Sequence, residues 1–177
     1  MKSFGVRVYK EYFNFASSHF VVFADGGREE LHGHNYQVRV AATGAVGPDQ
    51  MVIDFCRLKP IVRRLCGVWD HRMLLPDRCP QVALEDDGDH LLVRFTRRDG
   101  GVDRFLFPRR DVVVLPLSNT STERLAELLA HRVVEEVARE VPEARLHRLE
   151  VEVEESRGQC GVFRLELEPG PAGRDPG

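Results

Sequence analysis

The chain has 177 residues, 42% of them hydrophobic and 30% charged, with a formal net charge of −3. That length suits one domain with a sizeable core, and the charge balance offers no general attraction to nucleic acid or to an anionic membrane surface. No apolar run approaches the ~20 residues of a membrane span, and MKSFGVRVYK lacks the apolar stretch of a signal peptide, so a cytoplasmic protein is expected.

In chain order, FGVRVYKEYFNFASSHF reads as an extended strand. Phe4, Val6 and Val8 share one parity, whereas Phe13, Phe15, Ser17 and His19 share the other, which predicts a one-residue bulge near residues 9–12. A loop, FADGGREE, turns at Asp25-Gly26-Gly27, and a second strand is expected over residues 35–43, pairing with the first as a hairpin. GAVGPDQ is a turn. Leu58, Ile61, Val62 and Leu65 then follow helical spacing, with Asp54 as N-cap, an irregular first turn because of Pro60, regular helix from about Leu58, and Gly67 as the stop. Cys56 and Cys66 fall in this helix and are expected in the core. With Cys79 and Cys160 they form no CxxC pair, so reduced thiols are expected.

About forty residues separate WDHRMLLP from the next helix. Within residues 79–118, HLLVRFT and VDRFLF flank RRDGG and predict an inserted hairpin. DVVVLPLSNT leads into a helix with a Thr120/Glu123 capping box, an apolar face of Leu125, Leu128, Leu129, Val133 and Val137, and an end near Val141 before Pro142. Two closing strands surround Ser156-Arg157-Gly158. Leu149, Val151 and Val153 point inward, and a continued alternation brings Glu155 inward as well. The order β-β-α-insert-α-β-β predicts an α+β domain over residues 1–168, with one four-stranded antiparallel sheet and both helices on one face. The Pro/Gly-rich tail, residues 169–177, is expected to be disordered.

ELHGHNYQVRV carries the first chemistry. His32 and His34 share one strand face with Tyr36, Val38 and Val40. Pairing of the first two strands brings His19 near them, and three imidazoles with no fourth protein ligand describe a catalytic zinc whose open position takes water or a substrate oxygen. Asp70-His71 can serve as a proton shuttle in a turn, or be only a polar turn. An inward Glu155 is costly unless paired, so it either caps a backbone group or awaits a ligand.

Six stretches in order, FASSH (15–19), HGHNY (32–36), MVIDFCRLK (51–59), DHRMLL (70–75), STERLA (121–126) and VEVEES (151–156), resemble the 6-pyruvoyl-tetrahydropterin synthase and 6-carboxy-tetrahydropterin synthase family. The resemblance covers most of residues 4–166 apart from the insert. It implies a tunnelling fold joined into a barrel, usually a hexamer, with 7,8-dihydroneopterin triphosphate as substrate. It implies Zn2+ on His19, His32 and His34, a pterin ring anchored by Glu155 with Ser121 and Thr122 lining the pocket, and an Asp70-His71 relay acting across a subunit interface. Three products stay open: 6-pyruvoyl-tetrahydropterin, 6-carboxy-tetrahydropterin and 6-hydroxymethyl-dihydropterin.

One departure stands out. The family's usual cysteine shortly before HGH is missing, and Glu29 and Glu30 stand in that loop. Some family members carry a glutamate there and resemble enzymes that cleave the side chain to 6-hydroxymethyl-dihydropterin. Glu29, at E-x-x-H-G-H spacing, is the preferred replacement; the alternative is that both are solvated loop charges. The missing cysteine also leaves room for a zinc enzyme acting on another purine- or pterin-like ring, or for a pterin-binding protein without activity. The arginines of the insert, Arg94, Arg97, Arg98, Arg104, Arg109 and Arg110, either meet a triphosphate or solubilise an outer hairpin, and the second reading is preferred.

Overall fold

Residues 4–167 are described by the computed structural model, and the expectation for residues 169–177 lies outside them. Along the described chain come β1 (Phe4–His19), β2 (His32–Gly44), α1 (Phe55–Trp69), β3 (Arg72–Pro76), β4 (Val82–Asp87), β5 (His90–Thr96), β6 (Val102–Pro108), β7 (Val112–Leu115), α2 (Thr122–Glu140), β8 (Leu146–Ser156) and β9 (Gln159–Glu166).

β1 and β2 form the expected antiparallel hairpin, and the inward row Phe13, Phe15, Tyr36, Val38 and Val40 is buried. The parity switch in β1 is larger than one residue: residues 10–13 stand opposite Val38 alone, between the pairs Tyr9–Arg39 and Asn14–Gln37. Three extra residues invert the facing as one would, because any odd number does. The Gln37 side-chain amide donates to the carbonyls of Lys10 (2.7 Å) and Phe13 (2.9 Å), satisfying groups that the broken ladder leaves free.

The α+β class and the central antiparallel order β1-β2-β8-β9 are as expected, but the sheet has six strands, not four: its order is β7-β3-β1-β2-β8-β9. β3 runs parallel to β1, and β7 parallel to β3. MLLP and VVVL gave no alternation to read, because β3 is buried on both faces. Leu74 belongs to the main core, whereas Met73 and Leu75 belong to a second core with Phe20, Leu91, Val93 and Phe95. That second core lies under the insert, which is a three-stranded meander, β4-β5-β6, rather than a hairpin alone. Four of its six arginines pair with its own acids: Arg94 with Glu85, Arg97 with Asp99 and Asp103, Arg109 with Asp86, and Arg110 with Asp111.

Asp54 caps α1 as read, its carboxylate accepting the Cys56 N–H at 2.7 Å. The helix nevertheless starts at Phe55, three residues before the expected regular turn, and runs through Gly67 to Trp69. Pro60 is exposed, and its lost hydrogen bond, costing about 3 kcal/mol, is outweighed by burial of Leu58, Ile61, Val62, Cys66 and Trp69 at roughly 1.5–3 kcal/mol for each large side chain. Trp69 packs edge-on against Phe15 (centroids 5.3 Å apart), which carries the helix past its glycine. Cys66 is buried, but Cys56 faces out. At α2 the capping box does not form. Ser121 is the N-cap, and Thr120 is buried with its hydroxyl donating to the Phe20 carbonyl at 2.8 Å.

Candidate active site

The β1–β2 register sets His19 opposite His32 and Ser17 opposite His34, so three imidazoles share one sheet face. Ring centroids lie 4.8 Å apart for His19–His32 and His32–His34 and 5.4 Å for His19–His34; one ring nitrogen from each falls within 4.8 Å of the others. The close approach depends on Gly33, because a Cβ there would come 2.9 Å from the Ser17 carbonyl oxygen.

His19 is nearly fully buried. Its Nδ1 donates to the Thr120 carbonyl (3.0 Å), which leaves Nε2 as a bare lone pair, and that Nε2 is buried without a partner among the described residues. His32 is oriented the same way, with Nδ1 donating to the Glu30 carbonyl at 2.7 Å. Backbone carbonyls that fix the tautomer of an imidazole are the usual outer support of a metal-binding histidine. Burial pushes the His19 imidazole down to about 4, so it is neutral and ready to ligate at neutral pH. An orphaned nitrogen lone pair among three nitrogen donors suits a zinc ion.

The depressed imidazole also predicts an acid sensitivity for the metal-free protein. The unfolded chain takes up this proton near 6.5 and the folded chain only near 4. Between those values the unfolded state holds more protons, so stability falls as pH drops through that window, by roughly 2–3 kcal/mol, and is flat above it as far as this group is concerned. Urea melts of the apoprotein at pH 7.5 and pH 4.5 should differ accordingly, with a smaller difference for His19→Gln. An equal loss of unfolding free energy between the two pH values in both proteins would refute the assignment.

Residues 20–31 fold back beside the histidines. Glu29 N–H donates to the Val21 carbonyl (2.8 Å), Val21 N–H donates to the Glu29 carboxylate (3.1 Å), and Asn119 clips Val22 by accepting its N–H (3.0 Å) and donating to its carbonyl (2.8 Å). The half-buried Glu29 carboxylate thereby stands 3.9 Å from His32 Nε2, whereas Glu30 is exposed and engages His32 only through its carbonyl. Tyr36 is fully buried behind the triad, its ring 5.5 Å from His34 and 5.8 Å from His19, and its hydroxyl has no partner among the described residues. Burial first, then the negative charges of Glu155 and Glu29, push its phenol well above the ordinary value. Sequence reading took Tyr36 only as a member of the apolar row; a hydroxyl at an inward position beside paired histidines was the signal.

Glu155 is half-buried at the irregular end of β8, and its carboxylate makes no hydrogen bond or ion pair among the described residues. Ser121 and Thr122 open α2, directly after the Thr120 carbonyl that holds His19. Gly161 of β9 passes so near that a Cβ there would lie 2.4 Å from the Glu123 nitrogen, which fixes the helix start against the sheet. In the first turn of α2 the Glu123 N–H, then the Ser121 and Thr122 hydroxyls, hold the Glu123 carboxyl below its usual range.

Asp70 and His71 lie between α1 and β3, and His71 lines one cleft with His34. Asp70 accepts the Ala16 N–H (2.8 Å) and meets His71 Nδ1 at 2.9 Å, while His71 N–H donates back to the Ala16 carbonyl (2.7 Å). The Ala16 N–H, then His71, hold the Asp70 carboxyl below its usual range. His71 adopts φ 56°, and its side chain is 82% exposed, so this dyad points outward. Among the described residues no hydrogen bond joins it to the triad.

A family model described as 6-pyruvoyl tetrahydropterin synthase matches residues 7–166. The chain belongs to the 6-pyruvoyl tetrahydropterin synthase family. A Methanocaldococcus jannaschii protein provisionally named 6-carboxy-5,6,7,8-tetrahydropterin synthase is 29% identical over 155 residues, covering 87% of this chain and 91% of its own. The structure of the Plasmodium falciparum 6-pyruvoyl tetrahydropterin synthase superposes with a TM-score of 0.85 at 30% identity, covering 94% of this chain and all of that one. The Plasmodium vivax synthase gives 0.84 at the same identity and coverage, and two of its structures are of catalytic-residue mutants in which a glutamate is replaced by alanine or cysteine. As a member of this pterin synthase family, the chain is an enzyme of the lyase type, and no helix among its described residues is long and apolar enough to cross a membrane.

Proposed function

We propose that this synthase is a zinc-dependent lyase that cleaves 7,8-dihydroneopterin triphosphate to 6-hydroxymethyl-7,8-dihydropterin in a hexameric assembly. The observation that carries the reading is the convergence of three ring nitrogens, one of them buried and unpartnered among the described residues, beside the Glu29 carboxylate. His19, His32 and His34 would hold the ion, which when bound supplies Lewis-acid polarisation of the substrate's side-chain hydroxyls.

The chain's own residues account for the remaining work. Glu155, half-buried and without a partner among the described residues, accepts the N–H groups of the pterin ring, and Ser121 and Thr122 contribute hydroxyls beside it. Glu29 takes the proton of the 2′-hydroxyl. The C1′–C2′ bond then breaks, its electron pair passing into the conjugated dihydropterin ring, and C1′ gains a proton; the other fragment departs as glycolaldehyde triphosphate. The outward-facing Asp70-His71 dyad serves the site of a neighbouring subunit. The glutamate named as catalytic in the P. vivax synthase supports Glu29 in the place where the family commonly has a cysteine.

Incubation of the zinc-loaded protein with 7,8-dihydroneopterin triphosphate, with products identified by mass, tests this. We expect 6-hydroxymethyl-7,8-dihydropterin. A 6-pyruvoyl or 6-carboxy product would overturn the cleavage step while keeping the substrate. Tight pterin binding without turnover would instead favour a binding protein.

A further inference from the structure

Three aromatic rings and a carboxylate close on one cation next to Glu29. The Arg28 guanidinium carbon lies 4.9 Å from the Phe105 ring centroid and 5.5 Å from those of Phe20 and Phe95. Its Nη2 and Nε donate to one oxygen of Asp103 (2.8 and 3.2 Å), and the other Asp103 oxygen accepts from Arg97 at 2.7 Å. The remaining nitrogen, Nη1, donates to the Glu29 carbonyl at 2.8 Å. Phe95 and Asp103 with Phe105 come from β5 and β6 of the inserted meander, whereas Phe20 directly follows His19.

If Arg28 served only to fasten the meander to the body, the aromatic box and Asp103 would be sufficient. The third contact runs the other way, into the main chain of the next residue. Two N–H groups converging on one Asp103 oxygen, with three rings packed around the cation, hold the guanidinium in place, and a guanidinium held in place fixes the carbonyl that Nη1 meets. The Glu29 backbone is thus pinned at its carbonyl by Arg28 and at its N–H by Val21, and its carboxylate accepts the Val21 N–H (3.1 Å) while standing 3.9 Å from His32 Nε2.

We propose that the inserted meander is a positioning element for the base, with Arg28 as the link: the insert holds Arg28, and Arg28 holds Glu29 level with the histidines. This rests on the reading of Glu29 as the base. A displacement of about 1 Å in a reacting group can lower a rate by about 100-fold, so the effect should be read in kcat.

The experiment compares Arg28→Met, Arg28→Lys and the milder, more exposed Asp103→Asn, each alone and combined with Glu29→Gln, in zinc-loaded protein with 7,8-dihydroneopterin triphosphate. Arg28→Met should lower kcat about 10- to 100-fold with KM changed less than about 3-fold and zinc content unchanged. Arg28→Lys should recover part of that loss, and Asp103→Asn should lower kcat in the same sense by a smaller factor. In the Glu29→Gln background these losses should vanish, because a base that is absent cannot be misplaced. Equal losses in both backgrounds, or no loss in any variant, would overturn the positioning role. If Glu29→Gln alone turns over normally, it is the assignment of the base that fails, and the positioning role falls with it.

Discussion

Replacing His34 with alanine should yield a folded protein that retains no zinc and turns over no pterin. His34 is the cleanest of the three to remove, since its ring makes no hydrogen bond to protein among the described residues, whereas His19 is buried and holds the Thr120 carbonyl. Two remaining imidazoles leave the ion half-coordinated by protein. Loss of a Lewis acid that contributes several kcal/mol to the transition state corresponds to about 1,000-fold or more in rate. Zinc per protomer by elemental analysis and turnover of 7,8-dihydroneopterin triphosphate are the two readouts. His19→Ala should show the same losses plus a lower melting temperature, because it also strands a buried carbonyl. A His34→Ala protein with full zinc and normal rate would remove the basis of the proposed centre.

The second large effect is expected at Glu29. Glu29→Gln keeps the shape of the side chain and its ability to accept the Val21 N–H, but removes its basicity. The expected result is a fall in kcat of about 100- to 10,000-fold, the usual range for a lost general base, with zinc content and melting temperature near those of the unmodified protein. Glu30→Gln provides the contrast. Its side chain is exposed and it meets His32 through a carbonyl that the substitution leaves in place, so its rate should stay within about 2-fold. If Glu30→Gln proves inactive and Glu29→Gln does not, the two glutamates exchange roles.

These two experiments probe the part of the site that short-range pattern already outlined. Alternation in HGHNYQVRV fixed which face His32 and His34 take, and the inverted parity of β1 brought His19 to the same face, because strand geometry has a period of two whatever the surroundings. The same rule applied to LEVEVEE led to the expectation of an inward Glu155, which the structure leaves half-buried at the irregular end of β8. Spacing preferred Glu29 over Glu30 but left open that both are solvated loop charges; in the folded loop Glu29 is wound onto Val21 and turned toward His32, whereas Glu30 is exposed. The roles of Asn119 and Arg28 had no local signature, as their partners lie 97 and 75 residues away in the chain.

The linear order of apolar and polar residues by itself determined the class, the two helices, the central four strands and the shared face of the three histidines, since each depends on neighbours a few positions apart. Only the tertiary structure decided that MLLP and VVVL are strands, that Thr120 is a buried bracket for His19 rather than a helix cap, and that the insert reaches back to hold the loop before His32. A run buried on both faces has no periodicity, a hydroxyl bonds to whichever carbonyl packing brings near, and a contact between distant segments exists only once the sheet between them has formed.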